Sequence, residues 1–255
     1  MFAESGDKQY HIGLTKDQVG GYVVMPGDPG RVPKIAEYLD NAEFMAQNRE
    51  YTTYTGELNG EKVSVCSTGI GGPSAAIAIE ELIKCGAHTF IRVGTCGGMR
   101  LDVVGGDIVI ATGAIRGDGT SREYLTPDYP AVSDFMVSSA LRQAALENGL
   151  RHHLGVVQTK DSFYGEIAPE TMPIADYLNQ RWQAYLKSGC LASEMEAAAL
   201  FSVGLVRNVR VGCVLTAIWN VEREHAGLDN PEFHDSSRAI ICAVEALKIL
   251  IKDDK

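Results

Sequence analysis

Val63-Ser64-Val65-Cys66-Ser67-Thr68-Gly69-Ile70-Gly71-Gly72-Pro73-Ser74 passes from a short apolar run through a glycine turn straight into a helical pattern. A Val- and Cys-rich run bounded by turn residues reads as a buried strand. Pro73 and Gly86 are the usual start and stop residues of the helix that follows. Working outward, further strands are expected at 21–25, 88–93, 107–112, 154–160 and 210–218, and this one at 62–68. Helical patterns occupy about 73–85, 133–148, 174–187, 195–207 and 232–251. Residues 50–58 alternate and are β-prone, and Asn59-Gly60 supplies a hairpin turn into 62–68. A hairpin followed by strand–helix alternation predicts an α/β fold, a mixed and mostly parallel twisted sheet flanked by helices. No Pro/Ser-rich linker, charge block or repeat divides the chain, so residues 1–255 read as a single domain.

Composition narrows the function classes. A net charge of −10 argues against a nucleic-acid groove, which needs clustered positive charge. No stretch approaches the roughly 18 consecutive apolar residues of a membrane span. Met1-Phe2-Ala3-Glu4-Ser5-Gly6-Asp7 is polar and acidic, unlike a signal peptide. The six cysteines are scattered without a Cys-x-x-Cys pair, so a reducing cytoplasm is expected and a structural zinc is not. The six histidines show no metal-ligand spacing, and His152-His153 reads as a surface pair.

Two further strand ends resemble the first. Tyr22-Val23-Val24-Met25-Pro26-Gly27-Asp28-Pro29-Gly30-Arg31 and Phe90-Ile91-Arg92-Val93-Gly94-Thr95-Cys96-Gly97-Gly98 each combine glycines with an arginine. Glycine lets a backbone approach a ligand, and exposed N–H groups at turns attract anions. Arginine adds a planar fork of donors that matches phosphate oxygens in pairs. Arg31 alone would read as a surface side chain. Arg92 ends an apolar strand, so its desolvated cation demands an anion, and Thr95 can add donors. The pattern is neither a P-loop nor a dinucleotide fingerprint.

In Ser193-Glu194-Met195-Glu196, two acids precede an apolar helix. They suit the helix dipole; alternatively, a buried carboxylate there could accept from both hydroxyls of a ribose, with Met195 a soft surface beneath the sugar. Asp161-Ser162-Phe163-Tyr164-Gly165-Glu166 fits the wall of a flat heterocycle site and equally a lid on the sheet edge. Trp219-Asn220-Val221-Glu222-Arg223-Glu224-His225 reads by itself as a solvated loop. His11 lies in an apolar terminal segment. Neither a Gly-x-Ser-x-Gly elbow nor a His-Glu-x-x-His helix is present, which disfavours a serine hydrolase or zinc peptidase.

Taken in order, His11-Ile12-Gly13-Leu14-Thr15, Met25 to Val32, Asn48-Arg49-Glu50-Tyr51, Ser67 to Ser74, Ile91 to Thr95 and Ser193 to Glu196 resemble the hexameric nucleoside phosphorylase family, and within it the uridine phosphorylases. The resemblance implies phosphorolysis of a nucleoside, uridine foremost, by inorganic phosphate, with no redox cofactor or catalytic metal. It implies a phosphate site of Gly27, Arg31, Arg92 and Thr95, joined by Arg49 of a neighbouring subunit. It implies Glu196 on the ribose hydroxyls, Met195 under the sugar, and His11 of the neighbour on the 5′-hydroxyl. Phe163 would pack on the base, with Arg223 near its far edge, and the assembly would be a homohexamer built from dimers. Glu50, Ile70 and Ser74 match a position where bacterial members hold a monovalent cation such as potassium at the dimer interface.

One stretch departs from that pattern. Glu166 stands where a uracil-reading glutamine is expected, and no arginine follows nearby. An ionised glutamate only accepts hydrogen bonds, so it could take uracil N3–H while repelling O2, or accept N1–H of a 6-oxopurine. On that footing Glu166→Gln is expected to raise kcat/KM for uridine by roughly tenfold, if about 1.4 kcal/mol is recovered. Thymidine, deoxyuridine and 6-oxopurine nucleosides are the alternative substrates. A water-using nucleosidase is opposed by the arginines, and a non-catalytic binding relative by the intact set Arg31, Arg92, Glu196 and His11.

Overall fold

Apolar strands that are buried on both faces need helices on both sides, and the chain supplies them. The computed structural model describes residues 8–255; Met1–Asp7, with the signal-peptide reading made there, lie outside the described residues. The strands are β1 (Tyr22–Pro26), β2 (Asp40–Asn48), β3 (Tyr51–Leu58), β4 (Glu61–Cys66), β5 (Thr89–Gly98), β6 (Ile108–Arg116), β7 (Ala131–Val132), β8 (His152–Thr159), β9 (Ala192–Glu194) and β10 (Arg210–Asn220). The helices are α1 (Val32–Ala36), α2 (Gly72–Lys84), α3 (Thr120–Tyr124), α4 (Phe135–Glu147), α5 (Tyr164–Ile167), α6 (Ala175–Lys187), α7 (Ala197–Arg207), α8 (Val221–His225) and α9 (Ser237–Asp253).

All ten strands join one sheet. β4, β1, β5 and β10 run parallel in its centre, with Met25 opposite Arg92 and Arg92 opposite Cys213. Parallel pairing also joins β6 to β8 and β8 to β9. Antiparallel pairing is as frequent among the described residues: β10–β6, β2–β3, β3–β4, β5–β9 and β6–β7. The sheet is therefore mixed, and parallel chiefly in the strands that approach the site. It also closes on itself, because β5 pairs with β10 while the path β10-β6-β8-β9 returns to β5. The turn expected at Gly94–Gly98 is extended strand, and those residues let β5 change partner from β1 to β9.

Side-chain alternation along the strands makes two cores. Val23, Met25, Phe90 and Leu215 pack with Ile79 and Leu82 of α2 and Leu200 and Phe201 of α7. Val24, Val65, Ile91 and Val214 face Leu141 of α4 and Leu247 and Leu250 of α9. Gly72 lets α2 meet its neighbours, since a Cβ there would come within 2.8 Å of Thr120 Oγ1 and 3.3 Å of Ala199 Cβ. Asp134 caps α4 by accepting from Val137 N at 2.9 Å. No helix among the described residues is long and apolar enough to cross a membrane.

Candidate active site

The carboxyl ends of β1, β5, β8 and β10, together with the β9–α7 junction, surround a cavity of about 1280 Å³. Its walls include Gly27, Arg31, Ile70, Arg92, Thr95, Phe163, Glu166, Met195 and Glu196. Sequence reading had marked each of these, and the fold brings them together.

Arg92 is a buried cation of the site, 4% exposed on β5. Its side chain folds back over the strand because position 94 is glycine: a Cβ there would stand 2.9 Å from Arg92 Nη2 and 2.9 Å from Leu215 Cδ2. The anions that the sequence demanded are carboxylates of the protein. Nη2 donates to Glu196 Oε2, and Nε lies 3.4 Å from Glu194 Oε2. Burial pulls the guanidinium down, but Glu196 and Glu194 together outweigh it and hold it above its ordinary value. Nε and Nη1 are nevertheless buried without a hydrogen-bond partner among the described residues. Arg31 stands on the same side. Burial pushes its guanidinium down, Asp28 pulls it up, and the charge of Arg92 adds to the downward push. Two neighbouring cations, one with unspent donors, favour an anion between them.

The two acids of the Ser193–Glu196 stretch divide the work. Glu194 is an anchor: its carboxylate accepts the Thr159 hydroxyl, Glu196 N at 2.8 Å and Ala197 N at 2.8 Å. Burial pushes the Glu194 carboxyl up, against the pull of Arg92. Glu196 sits on the cavity wall between Arg92 and α2, accepting Gly71 N at 2.6 Å.

At the other end of the cavity, sequence reading missed the central residue. Lys160, 8% exposed, places Nζ 2.9 Å from Glu166 Oε1 and 2.6 Å from Ser193 Oγ. Ser193 Oγ in turn donates to Glu166 Oε2 at 2.6 Å. Glu166 is thus bonded to a lysine and a serine, where the sequence reading had it as an open acceptor for the base. The Lys160 ammonium also lies 5.9 Å from the centre of the half-exposed Phe163 ring. A lysine directly after an apolar strand, two positions beyond another polar residue, was the available signal. Above this corner, α6 contributes Leu178, Arg181, Trp182 and Tyr185, and Trp182 Nε1 ties α6 to α8 through Glu222 at 2.7 Å.

Arg223 is the clear departure. Its Nε donates to Asp229 O at 2.7 Å and its Nη1 to Leu101 O at 2.6 Å, so it braces a loop and does not line the cavity. His11 and Arg49 are also absent from the cavity wall of their own chain. They neighbour each other instead: Asn48 Nδ2 donates to His11 O at 2.7 Å, and Arg49 is exposed in the adjoining β2–β3 turn with φ of 54°. Glu81 accepts His11 Nδ1 at 2.6 Å and fixes the ring. Glu50, Ile70 and Ser74 do converge: a Cβ on Gly69 would touch Glu50 Cγ and lie 3.4 Å from Ser74 Oγ, which donates to Ile70 O at 3.2 Å. No group of three or more His, Cys, Asp or Glu side chains among the described residues could hold a metal ion.

Comparison with known proteins shows the family. A family model described as the phosphorylase superfamily matches residues 22–250. The chain is 55% identical to a uridine phosphorylase of Treponema pallidum (strain Nichols), over 98% of this chain and 97% of that one. It is 42% identical to a uridine phosphorylase of Thermococcus kodakarensis, over 97% and 88% of the two chains. A guanosine phosphorylase of Halorubrum lacusprofundi is 40% identical, over 84% of each.

Proposed function

Because the chain belongs to the phosphorylase superfamily, we propose that it cleaves the N-glycosidic bond of uridine with inorganic phosphate, giving uracil and ribose 1-phosphate. The observation that carries this reading is Arg92, buried beside Arg31 with two nitrogens that have no hydrogen-bond partner among the described residues. Phosphate bound by Gly27, Arg31, Arg92 and Thr95 stands where the ribose acquires positive charge. As the C1′–N1 bond breaks, its electron pair leaves with the base. The sugar passes through an oxocarbenium-like state, and a phosphate oxygen then bonds to C1′. Glu196 accepts from the ribose hydroxyls and Met195 packs beneath the ring.

Phe163 packs on the base, and Lys160 disperses the charge that the departing base carries. Lys160 takes the part that the resemblance had given to Arg223 at the base, and Glu166 orients it. Arg49 and His11 share one patch of surface outside the cavity, which suits their entry into the site of a second copy. The assembly on this reading is a hexamer built from dimers. Glu50, Ile70 and Ser74 would offer a carboxylate, a carbonyl and a hydroxyl to a monovalent cation at the dimer contact. Six buried free cysteines fit a cytoplasmic setting.

A nucleosidase would need a carboxylate free to activate water. Glu194 and Glu196 are both engaged by Arg92 and by backbone N–H groups. A 6-oxopurine nucleoside is the second reading, favoured by the 1280 Å³ cavity and by the guanosine phosphorylase relative. A base-release screen over uridine, thymidine, deoxyuridine, cytidine and inosine, with and without phosphate, tests both. Release from uridine that requires phosphate and disappears in Arg92→Ala is the expected result. Release at the same rate without phosphate overturns the reading.

A further inference from the structure

Among the described residues, Gln158 is a side chain at the Lys160 end of the cavity whose carbonyl oxygen has no hydrogen-bond partner. It lies on β8 two residues before Lys160, so the two side chains leave the same face of the sheet, and both line the cavity. Thr159 between them points the other way, to Glu194. The β8–β9 register sets Gln158 beside Ser193. Lys160, Ser193 and Glu166 hydrogen-bond one another, which uses two of the three N–H groups of the ammonium. Gln158 stands next to that set and outside it. The residue is 7% exposed, and its side-chain carbonyl is buried with no hydrogen-bond partner among the described residues. A buried acceptor left unmet is costly, and such groups concentrate where a ligand completes them.

We propose that Gln158 is the specificity-determining residue for the base, reading a lactam edge through its carboxamide. A carboxamide offers an acceptor and a donor side by side. That pair matches a ring N–H flanked by a carbonyl, as at N3–H and a neighbouring carbonyl of uracil. The Lys160 ammonium is a donor only and takes a carbonyl. Glu166, already bound to Lys160 and Ser193, presents no donor to the base. The inference rests on the reading of the cavity as a nucleoside site and adds which residue recognises the base.

The test compares Gln158→Leu with the unaltered enzyme on uridine and on 3-methyluridine, whose N3 carries no hydrogen. In parallel, it measures equilibrium binding of uracil and 3-methyluracil in the presence of phosphate. The expected result is a loss of about tenfold on uridine and uracil, with less than about a twofold change on the N3-methylated compounds. Tm should be unchanged or higher, because the substitution removes an unmet buried carbonyl. Equal loss on both members of each pair, a lowered Tm with no change in discrimination, or unchanged uridine and uracil would each overturn the proposal. The binding arm separates the two claims. An enzyme that binds uracil through Gln158 but releases none from uridine contradicts phosphorolysis and leaves the base reader standing.

Discussion

The Lys160–Glu166 pair shows how one neighbour reverses the expected effect of a substitution. From the sequence, Glu166→Gln removes a repulsion from uracil and raises kcat/KM. In the structure the same change removes the anion that holds a buried ammonium, at 2.9 Å, and leaves Lys160 with Ser193. Glu166→Gln is therefore expected to lower kcat/KM for uridine, and Lys160→Met to lower it further, each by about tenfold or more. Lys160→Met should act on kcat more than on KM, because charge on the leaving base develops only as the bond breaks. Steady-state kinetics on the two variants decide the matter; a rise in kcat/KM for Glu166→Gln would restore the earlier reading. Arg223, which reads from its residues as part of a solvated loop and was placed near the base only by the family resemblance, donates to two backbone carbonyls.

Among the elements, β5 does most to build the site, and it was only half legible. Its apolar start, Thr89 to Val93, announces a strand, but Gly94, Gly97 and Gly98 carry low β-propensity and read as a turn. Their role depends on partners far away in sequence: Arg92 folding over Gly94, and β9 pairing with Gly97 and Gly98. β2, with few β-branched residues, and the three-residue β9 escaped for the same reason, because pairing and not composition makes them strands. The helices α2, α4, α6 and α7 were legible to within two residues from apolar periodicity and caps, whereas α9 begins at Ser237, five residues later than expected. The arginine corner was legible because glycine and arginine stand together in the sequence; the Lys160 corner was not, because its members come from the residue after β8, from α5 and from β9. Gly94→Ala tests the strand's part directly. The added methyl would displace the Arg92 guanidinium, so kcat/KM should fall by at least tenfold while the far-ultraviolet spectrum keeps its native form. Full activity in Gly94→Ala would mean that the Arg92 pose does not govern catalysis.

At the scale of the whole molecule, the cavity of one chain lacks two of the side chains assigned to it. His11 and Arg49 lie together on another part of the surface, and on the proposed function a complete site would take two copies. Mixing Arg49→Ala with Glu196→Ala under subunit exchange should then recover part of the lost activity, since hybrid sites regain both groups. Mixed oligomers without recovery would argue for sites formed within one chain. The central claim is that phosphate, held against Arg31 and Arg92, is the nucleophile. Its most direct test follows uridine cleavage while phosphate is varied from zero and the sugar product is identified. The account predicts no uracil in phosphate-free buffer, and with phosphate one ribose 1-phosphate for each uracil released. Free ribose formed at a rate independent of phosphate would contradict it.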